Sequence, residues 1–180
     1  MGALTLLRHT RPDLVDGVCY GRTNLDVDGS FEGQAEIVLN DAPEADLIVS
    51  SPLRRCQVLA DYIAKFRKQS VTVDDRLQEM DFGNWENRLW SDIPRAELDA
   101  WALDFLDARP HGGESVAMLQ ARVSEALQEY QTMIETCLIV THAGVIKAAF
   151  AGVGQSDGYD KQIDFGGIVR LPEVQTKDAS

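Results

Sequence analysis

The 180-residue sequence carries 29 acidic side chains against 17 Lys and Arg, a formal net charge of −12, with 44% hydrophobic and 26% charged residues. That length suits one domain, 1–180, which can bury its own core, and the composition excludes the disordered and membrane-spanning classes. Such an acidic surface repels nucleic acid and anionic lipid, so phosphate chemistry here needs a local basic pocket inside an acidic shell.

Residues 3–12, ALTLLRHTRP, form an apolar run that stops at Arg8, His9, Thr10 and Arg11. Bounded by polar groups and Pro12, it reads as a buried strand of a parallel sheet. Ligands of open α/β sheets sit outside the carboxyl ends of the strands, so this strand would deliver Arg8 and His9 to a crevice. Residues 13–28, rich in Gly, Asp and Asn, read as a long loop over the strand ends. The loop offers Tyr20 and Arg22 as weak ligand contacts, beside the plainer reading of a packed ring and a surface charge. A helix is expected over 30–39 with Phe31, Ala35 and Val38 facing inward. A second strand, 47–49, leads into Ser51 and Pro52, suited to the N-cap and first helical positions. The amides of such a helix start form an anion site, to which Arg55, one turn in, adds a planar fork. Leu59, Tyr62, Ile63 and Phe66 would be the core face of that helix, and Arg54 a solvated charge.

A short strand at 71–73 precedes a loop, 74–87, carrying Asp74, Asp75, Glu79 and Asp81. Each acid alone reads as solvated, and a phosphate pocket alongside would recruit one of them. Pro94 opens a helix with Leu98, Trp101, Ala102, Phe105 and Leu106 as its packing stripe. The glycine turn at 110–115, where His111 reads as a loop histidine, leads to a helix on Val116, Leu119, Val123, Leu127, Tyr130 and Ile134. A third strand, 138–140, ends at His142, and Val145, Ile146, Ala149 and Phe150 begin the helix behind it. The last strand is expected at 168–171, while 155–162 and the tail after Pro172 look loose. Cys19, Cys56 and Cys137 are odd in number and widely spaced, which predicts reduced thiols, two of them buried, rather than disulfides or a zinc site. With neither a cationic lead nor a long apolar stretch at its start, the chain is expected in the cytoplasm.

Two strand-end histidines, two arginines and an acid, without a metal-ligand spacing, suit phosphoryl transfer through a phosphohistidine. A neutral His9 would attack phosphorus while Arg8, Arg55 and His142 hold the equatorial oxygens. An acid would then protonate the leaving alcohol and later take a proton from water. To do so it must keep its proton near neutrality, as burial or an adjacent bound phosphate favours. The arginines supply the positive charge, so no metal or other cofactor is expected.

At this point the motifs resemble those of the histidine phosphatase (phosphoglycerate mutase-like) superfamily. LLRHTRP resembles its Arg-His-Gly signature and SSPLRR its Ser-Ser-Pro-Leu-x-Arg segment. LQEMDFGNWEN resembles its Leu-x-Glu…Phe-Gly-x-Trp-Glu-Gly segment, HGGES its Gly-Glu-Ser turn, and VTHAGVIK its Ser/Thr-His-Gly-Gly turn. The resemblance implies an α/β fold, a three-layer α/β/α sandwich with a mostly parallel central sheet and a helical lid around 85–122. It implies His9 as the phosphorylated nucleophile, Glu79 as the proton donor, and Arg8, Arg55 and His142 as the rest of the phosphate pocket. Thr10, Ala143 and Asn87 stand where that family has glycine.

The segments RHTRPDLVDGVCYGRTNL and MDFGNWENRLWSDIP are most similar to the α-ribazole phosphatase-like branch. That similarity implies release of phosphate from α-ribazole 5′-phosphate in cobalamin assembly. The implied partner is a small phosphorylated metabolite, with no nucleic acid and no membrane, and a homodimer stays open. Three alternatives compete. A phosphoglycerate mutase-type transfer would need extra lid segments, a catalytically silent phosphate-ligand module would not need the complete pocket set, and a metallohydrolase would need spaced ligands.

Overall fold

The computed structural model describes residues 3–172. Its chain order is β1 (Leu4–Arg8), α1 (Phe31–Asp41), β2 (Leu47–Ser50), α2 (Arg54–Arg67), β3 (Val71–Val73), α3 (Arg95–Leu103), α4 (Val116–Thr132), β4 (Cys137–Thr141), α5 (Ala143–Gly152) and β5 (Ile168–Arg170). The sheet runs β3-β2-β4-β1-β5, with β5 antiparallel to β1 and the other neighbours parallel. Side-chain alternation along the strands creates the layers. Leu4 and Leu6 join Cys137 and Ile139 against α4 and α5, whereas Leu7, Ile48, Leu138 and Val140 pack against α1 and α2. The expected three-layer sandwich follows. Register places Arg8 opposite Thr141 and Ser50 opposite Val140, so β1, β4 and β2 end level and present their carboxyl ends together. No helix among the described residues is long and apolar enough to cross a membrane.

Several local expectations are corrected. Helix α2 starts at Arg54, not Pro52, and its entrance is already occupied. The Leu53 amide donates to Ser51 Oγ at 3.3 Å and the Arg54 amide to Asn24 Oδ1 at 2.8 Å, so these two amides are not open to an anion. The buried stripe of α2 runs through Cys56, Leu59, Ala60, Ile63 and Ala64, which leaves Phe66 58% exposed at the helix end, its ring 4.9 Å from that of Tyr62. Helix α3 stops at Leu103 because Asp104 leaves the helical region (ψ 62°), and the following turn carries Phe105 back onto Trp101 while Ala102 and Leu106 face water. Ile134 lies beyond α4, 91% exposed, after Met133 turns extended. Residues 155–162 are not loose: Gly158 is buried against Ala151, and the Tyr159 hydroxyl donates to Gln120 Oε1. All three thiols are buried, rather than two. The tail after Pro172 lies outside the described residues.

Candidate active site

β1 ends directly into His9, and the pairing with β4 continues one step further, with the His9 amide donating to Thr141 O at 3.0 Å. The adjacent end of β4 supplies His142, so the two imidazoles meet edge to face with centroids 5.2 Å apart. Both are dry, at 1% and 0% exposure. His9 Nδ1 lies 2.6 Å from Thr10 O; a carbonyl only accepts, so Nδ1 carries the proton and Nε2 keeps its lone pair. Arg55 confirms the assignment by donating from Nε to His9 Nε2 at 3.3 Å. Burial, then the Arg55 charge, with a smaller push from Arg8, hold the His9 pKa well below the ordinary value, and burial, Arg55 and His9 do the same to His142. Both rings are therefore neutral near pH 7, and the electron pair of His9 Nε2 accepts from the Arg55 guanidinium instead of holding a proton of its own.

Arg55 is fully buried, and its other two nitrogens are anchored by the loop after β1: Nη1 donates to Thr23 O and Nη2 to Gly21 O, each at 2.7 Å. That loop is tied down in turn by Glu86. Its carboxylate accepts from the amides of Arg22 and Phe82 through one oxygen, and from the Thr23 amide and hydroxyl through the other. Only glycine permits the crossing at position 21, where an added Cβ would fall 1.9 Å from Met80 O. Arg8 sits at the rim, Nη1 donating to Ile163 O at 2.5 Å and its guanidinium 3.8 Å over the Phe165 ring. Tyr20 faces the same two arginines, with Arg55 Cζ 5.2 Å from its ring, and burial raises its phenol pKa despite their charges. Arg22 stays outward, paired with Glu114 at 3.7 Å.

Glu79 reaches the site from the loop after β3. Its Oε2 accepts from the Gly144 amide at 3.1 Å and its Oε1 from the Met80 amide at 2.9 Å, at the first turn of α5. Gly144 is the glycine this approach requires, because a Cβ there would sit 2.2 Å from Glu79 Oε1. Arg122 of α4 clamps the loop carrying Glu79, donating to the carbonyls of Arg76, Gln78 and Glu79 and forming a two-pronged pair with Glu114.

The structure thus gathers His9, His142 and Arg55 in direct contact, with Arg8, Tyr20 and Glu79 around them and Arg22 to one side. Three contributors are given no part in the site by the sequence reading, although Ser51 and Glu86 stand inside its quoted motifs. Ser51 Oγ lies 2.8 Å from His142 Nε2, while Glu86 and Arg122 act on loops distant in sequence. Ser51 has a signal in hindsight, being the residue directly after a buried strand beside a strand-end histidine. His111, expected as an ordinary loop histidine, is fully buried 4.8 Å from Trp85, its Nδ1 accepting from the Gly113 amide. Of the three departures from glycine, Asn87 occupies the left-handed region (φ 64°), which asparagine tolerates. Thr10 is fully buried with its hydroxyl unpaired. Ala143 is the first residue of α5. Among the described residues no group of three or more His, Cys, Asp or Glu could hold a metal ion.

A family model described as histidine phosphatase superfamily (branch 1) matches residues 4–171. The chain is 31% identical over 157 residues to the adenosylcobalamin/alpha-ribazole phosphatase of Escherichia coli (strain K12), covering 82% of this chain and 77% of that protein. Phosphoserine phosphatase 1 of Hydrogenobacter thermophilus is 26% identical over 161 residues, covering 85% of this chain and 76% of that one. Among solved structures, the alpha-ribazole phosphatase from Shigella flexneri superposes with a TM-score of 0.82 at 29% identity, covering 96% of this chain and 91% of the other.

Proposed function

The chain belongs to branch 1 of the histidine phosphatase superfamily, and on that premise we propose that it hydrolyses a small phosphomonoester through a phosphohistidine on His9, without a metal. The observation that carries this is the state of the His9 ring: Nδ1 is locked to Thr10 O, and Nε2 is unprotonated and held beside Arg55. Nε2 attacks phosphorus and the bond to the ester oxygen breaks. Arg55, Arg8 and His142 balance the charge on the phosphoryl oxygens throughout. Ser51 Oγ engages Nε2 of His142 at 2.8 Å, and Nδ1 has only a weak contact to Cys56 Sγ at 3.8 Å, which the phosphoryl group would replace. Glu79 gives its proton to the departing alkoxide. In the second half it takes one from the attacking water, and the P–N bond breaks to release phosphate and restore His9. The stretch 85–122, with α3 and the entry to α4, would be the lid over this centre.

For the substrate we infer α-ribazole 5′-phosphate, on the sequence similarity to enzymes so named. The deciding experiment measures phosphate release, with chelator present, from α-ribazole 5′-phosphate, phosphoserine and p-nitrophenyl phosphate, for wild type and His9→Ala. Metal-independent turnover that vanishes in the variant, with the highest kcat/KM on the ribazole ester, is expected. Full activity in His9→Ala would overturn the mechanism, and a preference for phosphoserine would overturn the substrate.

A further inference from the structure

Beside Glu79 lies a cavity of about 270 Å³, whose wall away from the phosphate floor is aromatic. Four rings follow one another along it: Phe82 to Trp101 at 6.1 Å, Trp101 to Phe105 at 5.4 Å and Phe105 to Tyr159 at 5.2 Å between centroids. Met80, Val116 and Leu119 add aliphatic surface. The charged groups lining it are two, Glu79 and Lys147, and Lys147 stands one turn along α5 from Ala143. Lys147 is half-buried and makes no ion pair or side-chain hydrogen bond among the described residues. An ammonium drawn partly out of water loses hydration that a partner normally restores, and on a chain of net charge −12 a carboxylate would be easy to supply from within. None is supplied.

Resting on the phosphatase reading above, we propose that this cavity is the site of the leaving alcohol. It would select esters whose alcohol carries a flat apolar group bearing a hydrogen-bond acceptor, anionic or neutral, for Lys147. The proton donor must stand beside the ester oxygen, so an alcohol that begins at Glu79 continues into this cavity, which Glu79 itself lines. There a planar group meets ring edges and faces along its length, which favours aromatic over small polar alcohols. The acceptor completes the coordination that Lys147 lacks. A short alcohol such as that of phosphoserine would leave the rings unfilled.

Three esters with similar leaving oxygens separate the contributions: ethyl phosphate, 2-(2-naphthyl)ethyl phosphate, and the latter with a carboxylate at ring position 6. In wild type the naphthyl ester should exceed ethyl phosphate in kcat/KM by roughly tenfold or more, and the carboxylate should add a further several-fold gain. Phe105→Ala should shrink the first ratio and Lys147→Met abolish the second. Ratios within one variant do not depend on how much of it is folded. Equal rates on ethyl and naphthyl esters, or ratios unmoved by both substitutions, would overturn the proposal alone. Absence of phosphate release from all three esters would overturn the phosphatase reading and the proposal with it.

Discussion

The phosphate floor and the aromatic wall stand side by side yet are held in different ways. In the floor, His9, His142 and Arg55 are at most 1% exposed, and each is fixed by hydrogen bonds to a neighbouring strand end or loop. In the wall, Trp101, Phe105 and Tyr159 are half-buried and meet mainly through ring contacts, and α3 contributes no fully buried residue. Directional bonds fix a geometry to fractions of an ångström, as a reacting phosphorus requires, whereas apolar contacts are non-directional and tolerate exchange of shape.

The sharpest way to break the comparison is to remove the nucleophile. His9→Ala should lower kcat by about 10⁴-fold or more on every ester, and the acid-labile phosphoenzyme seen on rapid quenching of wild type should disappear. Next, Glu79→Gln should cost on the order of 10²–10³-fold on alkyl esters and much less on p-nitrophenyl phosphate, whose leaving group needs no proton. An equal loss on both would remove Glu79 from the role of acid. Arg122→Met tests whether the loop clamp matters for chemistry. A roughly tenfold fall in kcat on alkyl esters is expected as Glu79 loses its alignment, again spared on the nitrophenyl ester, and a uniform fall would mean a merely structural clamp. Ser51→Ala removes the partner of His142 Nε2 and should cost about 1 kcal/mol, read as a several-fold lower kcat with little change in KM.

The last effect is on stability rather than on rate. Burial keeps His9 and His142 uncharged in the fold, whereas the unfolded chain protonates them below about pH 6.5. The unfolded state then binds more protons, so stability is lost as pH falls, by up to about 1.4 kcal/mol per pH unit for each histidine. Urea midpoints at pH 7 and pH 5.5 would show the fall. A flat profile would mean that the floor is less dry than its geometry indicates.

Strands that end in His9 and His142 are legible from short apolar runs, which report burial directly, and the five ordered motifs carry the family resemblance, whereas the stripe expected over 98–106 is not borne out as a whole, since α3 stops at Leu103 and Ala102 and Leu106 face water. That legibility covers the sandwich, its mostly parallel sheet and the residues of the floor. It fails where a residue acts through backbone far away in sequence. Nothing local to Glu86 reports that it ties the loop holding Arg55, nothing local to Arg122 reports its grip on the loop carrying Glu79, and Ser51 looks like a helix cap until β2 and β4 are seen to end level. The α2 entrance misleads for the same reason, since Asn24 closes it from another segment. Periodicity marked most of the side chains that leave water, and failed at element ends such as Phe66, Leu106 and Ile134. Only the tertiary fold decided which hydrogen-bonding groups meet, because partners separated by tens of residues are chosen by strand register and loop crossing rather than by any spacing along the chain.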